Sequence, residues 1–123
     1  MVIYLHGDLG SGKTTLVRGV LRALGYHGRV KSPTYTLLEP YRAAGLDFRH
    51  FDLYRLQNRE EWASAGFREE MDGHNISFIE WPERAEGRLP HADIEICFEI
   101  LPKGRSVEIS GCTLTGRECL EQL

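Results

Sequence analysis

Eight consecutive residues, Gly7-Asp8-Leu9-Gly10-Ser11-Gly12-Lys13-Thr14, carry the densest chemistry in this sequence. They satisfy G-x-x-x-x-G-K-[ST], the P-loop pattern. The physical demand behind the pattern is anion binding. Glycines let successive backbone N–H groups turn into one concavity, a nest for phosphate oxygens. A helix that starts there adds the positive end of its dipole. Lys13 is the candidate bridge between β- and γ-phosphates, and the Thr14 hydroxyl is a candidate Mg²⁺ ligand. With glycine at about 7% of average usage, a chain this long meets the pattern by accident on the order of 1% of the time.

Such a loop also needs a carboxylate near its metal, at the end of a neighbouring apolar strand. Two acids qualify. Glu80 ends the run Ile76-Ser77-Phe78-Ile79, and Asp52 lies in the more polar His50-Phe51-Asp52-Leu53-Tyr54-Arg55. We assign Glu80 to Mg²⁺ and Asp52 to the attacking water or to a place behind the metal, with exchange of the two roles left open. Thr34, in Ser32-Pro33-Thr34-Tyr35, falls in the loop after the P-loop helix. In P-loop switch proteins that loop senses the γ-phosphate. The plainer readings are a strand-end salt-bridge partner for each acid and a simple proline turn for Thr34. The P-loop upstream favours the functional ones.

The elements that must position these residues are legible in the same stretch. Val2-Ile3-Tyr4-Leu5 is a short apolar run suited to a buried strand. Leu16, Val17, Val20, Leu21 and Leu24 repeat at helical spacing over 13–24, and Gly25 can end that helix. Tyr35 to Tyr41 and Phe48 to Leu53 read as two antiparallel strands about an Ala-Ala-Gly-Leu-Asp turn. Asn58 to Ala65 suits a helix with a capping residue and acids in its first turn. Ile76 to Ile79 is a strand, and Pro82 to Ala85 a short helical turn opened by proline. Ile94, Ile96, Phe98 and Ile100 alternate with Glu95, Cys97 and Glu99, a half-exposed strand. Pro102-Lys103-Gly104 turns it into a strand over 105–110, and 115–123 suits a terminal helix. Trp62 reads as a core anchor and Cys97 as packing. His6, His27, His74 and His91 lack metal-ligand spacing.

Composition sets the outer limits. The chain has 123 residues, 41% hydrophobic and 27% charged, which fits one domain, 1–123. No apolar run approaches the ~20 residues of a membrane helix, and no basic-then-apolar leader is seen. Three cysteines, Cys97, Cys112 and Cys119, form no CxxC pair, so reduced thiols in the cytoplasm are expected. Net charge is −3 and the sequence pI about 5.9, which argues against a free-standing nucleic-acid binder. Residues 1–60 hold nine basic and five acidic side chains (+4), whereas 61–123 hold six and thirteen (−7). The basic half is the one that carries the P-loop.

Four motifs in register now resemble one family. Gly7 to Thr15, Ser32-Pro33-Thr34-Tyr35-Thr36-Leu37, His50-Phe51-Asp52-Leu53-Tyr54-Arg55 and Glu80-Trp81-Pro82 are similar in order and spacing to the TsaE (formerly YjeE) family, over Val2 to the strand at Arg105. The resemblance implies an α/β P-loop NTPase-like three-layer fold, a mixed sheet with a parallel core and antiparallel hairpins. It implies a small bacterial ATPase, with ATP and Mg²⁺ as cofactors. The resemblance further implies a role in forming N6-threonylcarbamoyladenosine in tRNA, in which ATP hydrolysis resets the TsaD–TsaB pair that transfers the threonylcarbamoyl group made available by TsaC. By position, Gly7, Asp8, Leu9, Gly10, Ser11, Gly12, Lys13, Thr14 and Thr15 match the family's nucleotide loop. Thr14 and Glu80 match its metal ligands, and Asp52 an aspartate important for hydrolysis. Trp81 matches a tryptophan next to the metal-binding glutamate and Arg105 a residue near the nucleotide, and both join Thr34 of the switch loop as candidate nucleotide-binding residues. TsaD and TsaB are the expected partners, with tRNA met indirectly or weakly and no membrane. The family pattern also implies a further strand and helix ahead of Val2. Their absence from this sequence leads us to expect an open sheet edge or apolar patch near the N-terminus, where copies could self-associate.

Other functions share the P-loop. A small-molecule or nucleoside kinase could use Asp52 as base toward an acceptor hydroxyl, but should carry an arginine-rich lid that is not evident here. A GTPase should carry N-K-x-D, which is absent. A nucleotide-dependent assembly module, with incidental hydrolysis, needs no catalytic acid.

Overall fold

In the computed structural model, residues 1–71 and 73–122 are described. Val2–His6 (β1), Leu38–Ala43 (β2), Leu46–Asp52 (β3), Asn75–Glu80 (β4), Ile94–Ile100 (β5) and Arg105–Gly111 (β6) join one sheet. Their spatial order is β2-β3-β4-β1-β5-β6. β3, β4, β1 and β5 run parallel, and β2 and β6 fold back antiparallel as hairpin edges. This is the α/β P-loop NTPase-like fold, with a parallel core and antiparallel hairpins. Parallel strands covered on both faces must be apolar on both, which is why β1 and β4 read as nearly unbroken hydrophobic runs.

Two helical layers cover the sheet. The helix Lys13–Ala23 (α1) buries Val17 and Leu21 against Ile3, Leu5, Phe48, Phe78, Ile94 and Ile96. The opposite face packs Phe51, Leu53 and Ile79 against Trp62 and Ala85. Trp62 comes from the short helix Glu60–Ser64 (α2), and Ala85 from a 3-10 turn over Pro82–Ala85. Asn58 Oδ1 accepts the Glu61 N–H at 3.1 Å, the capping role expected of it. The last helix, Leu114–Leu120 (α3), is capped by Thr113, whose Oγ1 accepts from Gly116 N.

Several expectations need correction. β2 starts at Leu38 rather than Tyr35. Residues 33–36 form a turn, closed by Leu37 N–H donating to Pro33 O at 2.8 Å, with Leu37 at φ 67°. Proline opens that turn, and propensity alone does not register it. A 3-10 turn over Phe67–Glu70 was not anticipated. The expected open edge at the N-terminus is not there. β1 lies between β4 and β5, and the Met1 amine donates to Asn75 O at 2.9 Å. The open edges are β2 and β6. Cys97 is exposed on β5, not packed, because it alternates with Ile94 and Ile96, whose face is the one that packs against α1.

Candidate active site

Parallel strands deliver their C-terminal ends to one rim of the sheet, where open α/β folds bind ligands. Here β1 runs into the P-loop, β3 ends at Asp52 and β4 ends at Glu80. Asp52 and Glu80 are register partners on adjacent strands, so the two carboxylates rise side by side. The loop has the shape that a phosphate needs. Gly10 (φ 76°) and Gly12 (φ 111°) hold left-handed backbone that few side chains tolerate. A Cβ on Gly7 would lie 2.6 Å from Ser11 Oγ and 3.0 Å from Phe98 Cβ. The Ser11 hydroxyl is itself buried and unpartnered among the described residues. Such a cradle, bounded by glycines and holding a spare buried donor, fits a phosphate chain with its cation.

The polar groups form a connected set. Lys13 is only 4% exposed, and Nζ donates to Gly7 O at 2.5 Å. Burial pulls its pKa down, opposed chiefly by the Glu80 and Asp52 carboxylates. Thr14 Oγ1 donates to Glu80 Oε2 at 2.9 Å. The same oxygen lies 2.5 Å from His50 Nε2, and that histidine has no solvent exposure. Asp52 Oδ1 accepts the Tyr54 N–H at 3.0 Å, while Thr34 Oγ1 approaches Oδ2 at 3.5 Å. Ser32 and Thr34 hydroxyls are 2.7 Å apart. Burial raises the Asp52 pKa above the usual carboxylate range. The Tyr54 N–H opposes that rise, and the Glu80 charge adds to it.

Trp81 closes one wall. It sits at φ 58°, ψ 50°, left-handed backbone that costs a non-glycine residue on the order of 1 kcal/mol. Lys13 Nζ lies 4.0 Å from its ring centroid, and the Tyr54 ring packs against it at a tilt of 51°, centroids 5.0 Å apart. Arg84 in turn lies over Tyr54 at 5.4 Å. The resulting cleft, about 260 Å³, is lined by residues 9–15 with Ser32, Thr34, Asp52, Glu80 and Trp81. Gly7 lies at its root and Asp8 on the exposed outside of the loop. Arg105 comes from the far hairpin, and Nη2 donates to Gly10 O at 3.3 Å. Sequence reasoning missed His50 and Tyr54. A signal for His50 was present: it stands two residues before Asp52, on the same face of one strand. Nothing in the sequence reveals that Tyr54 packs against Trp81, since the two lie 27 positions apart. Among the described residues, no group of three or more histidine, cysteine or acidic side chains is placed to hold a metal by itself, this site included.

The chain is similar to proteins of one kind. The family profile described as "Threonylcarbamoyl adenosine biosynthesis protein TsaE" matches residues 1–107. A Haemophilus influenzae protein named tRNA threonylcarbamoyladenosine biosynthesis protein TsaE is 45% identical over 98% of this chain and 76% of its own length. A Rickettsia felis protein of the same name is 36% identical over 85% of this chain, which spans 61% of it. Among solved structures, the crystal structure of Bacillus subtilis YdiB superposes with a TM-score of 0.80 at 26% identity, covering 98% of this chain and 74% of that one.

Proposed function

Because the chain belongs to the TsaE family of threonylcarbamoyl adenosine biosynthesis, we propose that it is a Mg²⁺-dependent ATPase serving that tRNA modification. The observation that carries this reading is the 2.9 Å bond from Thr14 Oγ1 to Glu80 Oε2. It joins the hydroxyl of a phosphate loop to a buried acid at a strand end, the pairing that P-loop ATPases use around their cation. Thr14 and Glu80 would hold Mg²⁺, which when bound supplies positive charge to the β- and γ-phosphate oxygens.

The chain's own residues do the rest. Lys13 exchanges its contacts with Gly7 O and the Trp81 ring for phosphate oxygens. Loop N–H groups and the start of α1 bind the remaining negative charge. Tyr54 N–H pins one oxygen of Asp52 and leaves Oδ2 to orient water. A carboxyl whose pKa is raised by burial is a stronger base than an exposed one. Thr34 ties that carboxyl to the loop over 32–35, so release of phosphate can rearrange a surface segment. Such a rearrangement converts hydrolysis into altered affinity for a partner. The partner we propose is the TsaD–TsaB pair, reset for another round by ATP hydrolysis, with tRNA met through it in the cytoplasm.

Two measurements test this. Lys13→Ala should abolish nucleotide binding or hydrolysis, and near-normal ATPase in that variant would remove the P-loop from the mechanism. Co-purification with TsaD–TsaB should depend on ATP. ATP consumption that demands an acceptor hydroxyl, with the γ-phosphoryl group passing to it rather than to water, would indicate a kinase instead.

A further inference from the structure

We propose that His50 is a positioning residue for the metal site: its Nε2–H fixes one oxygen of Glu80, so that the carboxylate meets Mg²⁺ in a single orientation. This rests on the reading of Glu80 as a metal ligand.

The geometry is specific. His50 and Asp52 lie on the α1 face of β3, and Phe78 and Glu80 on the same face of β4. In this register His50 stands one step below the carboxylate and reaches it from the sheet side, at 2.5 Å. Thr14 reaches the same oxygen from α1. A carboxylate that binds a cation is ionised and can only accept, so His50 Nε2 carries the hydrogen. Two donors on Oε2, from two different elements, leave the carboxyl group one rotamer. Neither bond uses Oε1.

A structural role alone explains the pair poorly. His50 is fully buried and the Glu80 side chain 5% exposed. Replacing such a pair by apolar residues of similar volume is often neutral or stabilising. His50 Nδ1 is also buried with no hydrogen-bond partner among the described residues, a further cost to the fold. The imidazole thus anchors nothing except Glu80. Groups that hydrogen-bond a metal's ligands set their orientation, and losing one typically costs about 10–100-fold in metal affinity.

The test titrates Mg²⁺ against binding of a fluorescent, non-hydrolysable ATP analogue, so no turnover is involved. His50→Leu should raise the Mg²⁺ midpoint about 10–100-fold. Analogue binding in EDTA should change less than about twofold, the size of a contact that does not touch phosphate. His50→Gln can place an N–H where Nε2 stood and should restore the midpoint, whereas His50→Asn is too short and should not. A folded His50→Leu protein with an unchanged midpoint overturns the proposal. If His50→Leu does not fold, the Gln and Asn variants decide, and equal midpoints for those two overturn it. Glu80→Gln separates the two levels of the argument. If it shifts the midpoint and His50→Leu does not, only the positioning role fails. If Glu80→Gln shifts nothing, Glu80 is not the ligand and both readings fall.

Discussion

At the scale of single residues, the site stores cost in the fold for use in chemistry. Asp52 is the plainest case. It is 7% exposed beside a second carboxylate, and its pKa is raised. The folded chain therefore holds the Asp52 proton to a higher pH than the unfolded chain does. Stability from this group is present below the unfolded pKa, near ~4, and is lost as pH rises through the higher folded value. Asp52→Asn removes that loss while its side-chain oxygen still accepts from Tyr54 N–H. In EDTA, the variant should melt above the parent at pH 7, and the gap should close toward pH 4. Its ATPase should fall about 10²–10⁴-fold, the span of a lost general base. A variant less stable than the parent at pH 7 would contradict this account of the carboxyl. Asp52 was legible in the sequence as an acid near the metal. Its raised pKa was not, because that follows from burial in the folded site, with the Glu80 charge on the neighbouring strand adding to it.

At the scale of elements, one residue ties three segments together. Asp93 Oδ2 accepts the Val2 N–H at 2.8 Å, and Oδ1 accepts the Thr113 hydroxyl at 2.7 Å. Its backbone oxygen accepts from Cys112 N at 2.8 Å. The start of β1 and the start of α3 are thereby held at the head of β5. α3 fits there only because residue 116 has no side chain: a Cβ on Gly116 would lie 1.8 Å from Asp93 O. Gly116→Ala should cost about 3 kcal/mol, at the upper end of overpacking, and lower Tm by roughly 10 °C. Calorimetry checks it, and a shift under ~2 °C would mean that α3 is not docked as described. The helix itself was expected from the sequence over 115–123. The need for glycine at 116 was not, since it comes from Asp93, 23 positions earlier.

At the scale of the whole molecule, charge decides what the protein can meet unaided. The outward side of β5–β6 presents Glu95, Glu99 and Glu108. On the basic half, Lys13 is buried in the loop, and Arg42 and Arg49 pair with Asp47 and Glu70. Arg18, Arg22, Arg29, Lys31, Arg55 and Arg59 of that half are exposed, but the net charge of −3 and the pI of about 5.9 oppose capture of a polyanion by the isolated protein. Isolated protein should bind tRNA more weakly than ~10⁻⁴ M at physiological salt, the weak end of non-specific nucleic-acid binding. Filter binding across a salt series checks this, and a tight complex that loosens steeply with salt would contradict it. Among the described residues, no helix is long and apolar enough to cross a membrane.

Sequence by itself determined the local chemistry. A nest needs glycines and a helix start within eight residues, so Gly7 to Thr14 could be read without any partner in view. The acids at strand ends were legible for the same reason, because apolar runs and their terminations are local patterns. Tertiary structure alone decided how those pieces meet. β1 became an inner strand of the sheet, not an edge, because β5 is paired to it from 91 positions away. His50 acquired its place under Glu80, and Tyr54 its place on Trp81, only when β3 and β4 came into register. Contacts of that kind depend on which strands pair and in what alignment, a property of the whole chain's packing that no single stretch of residues contains.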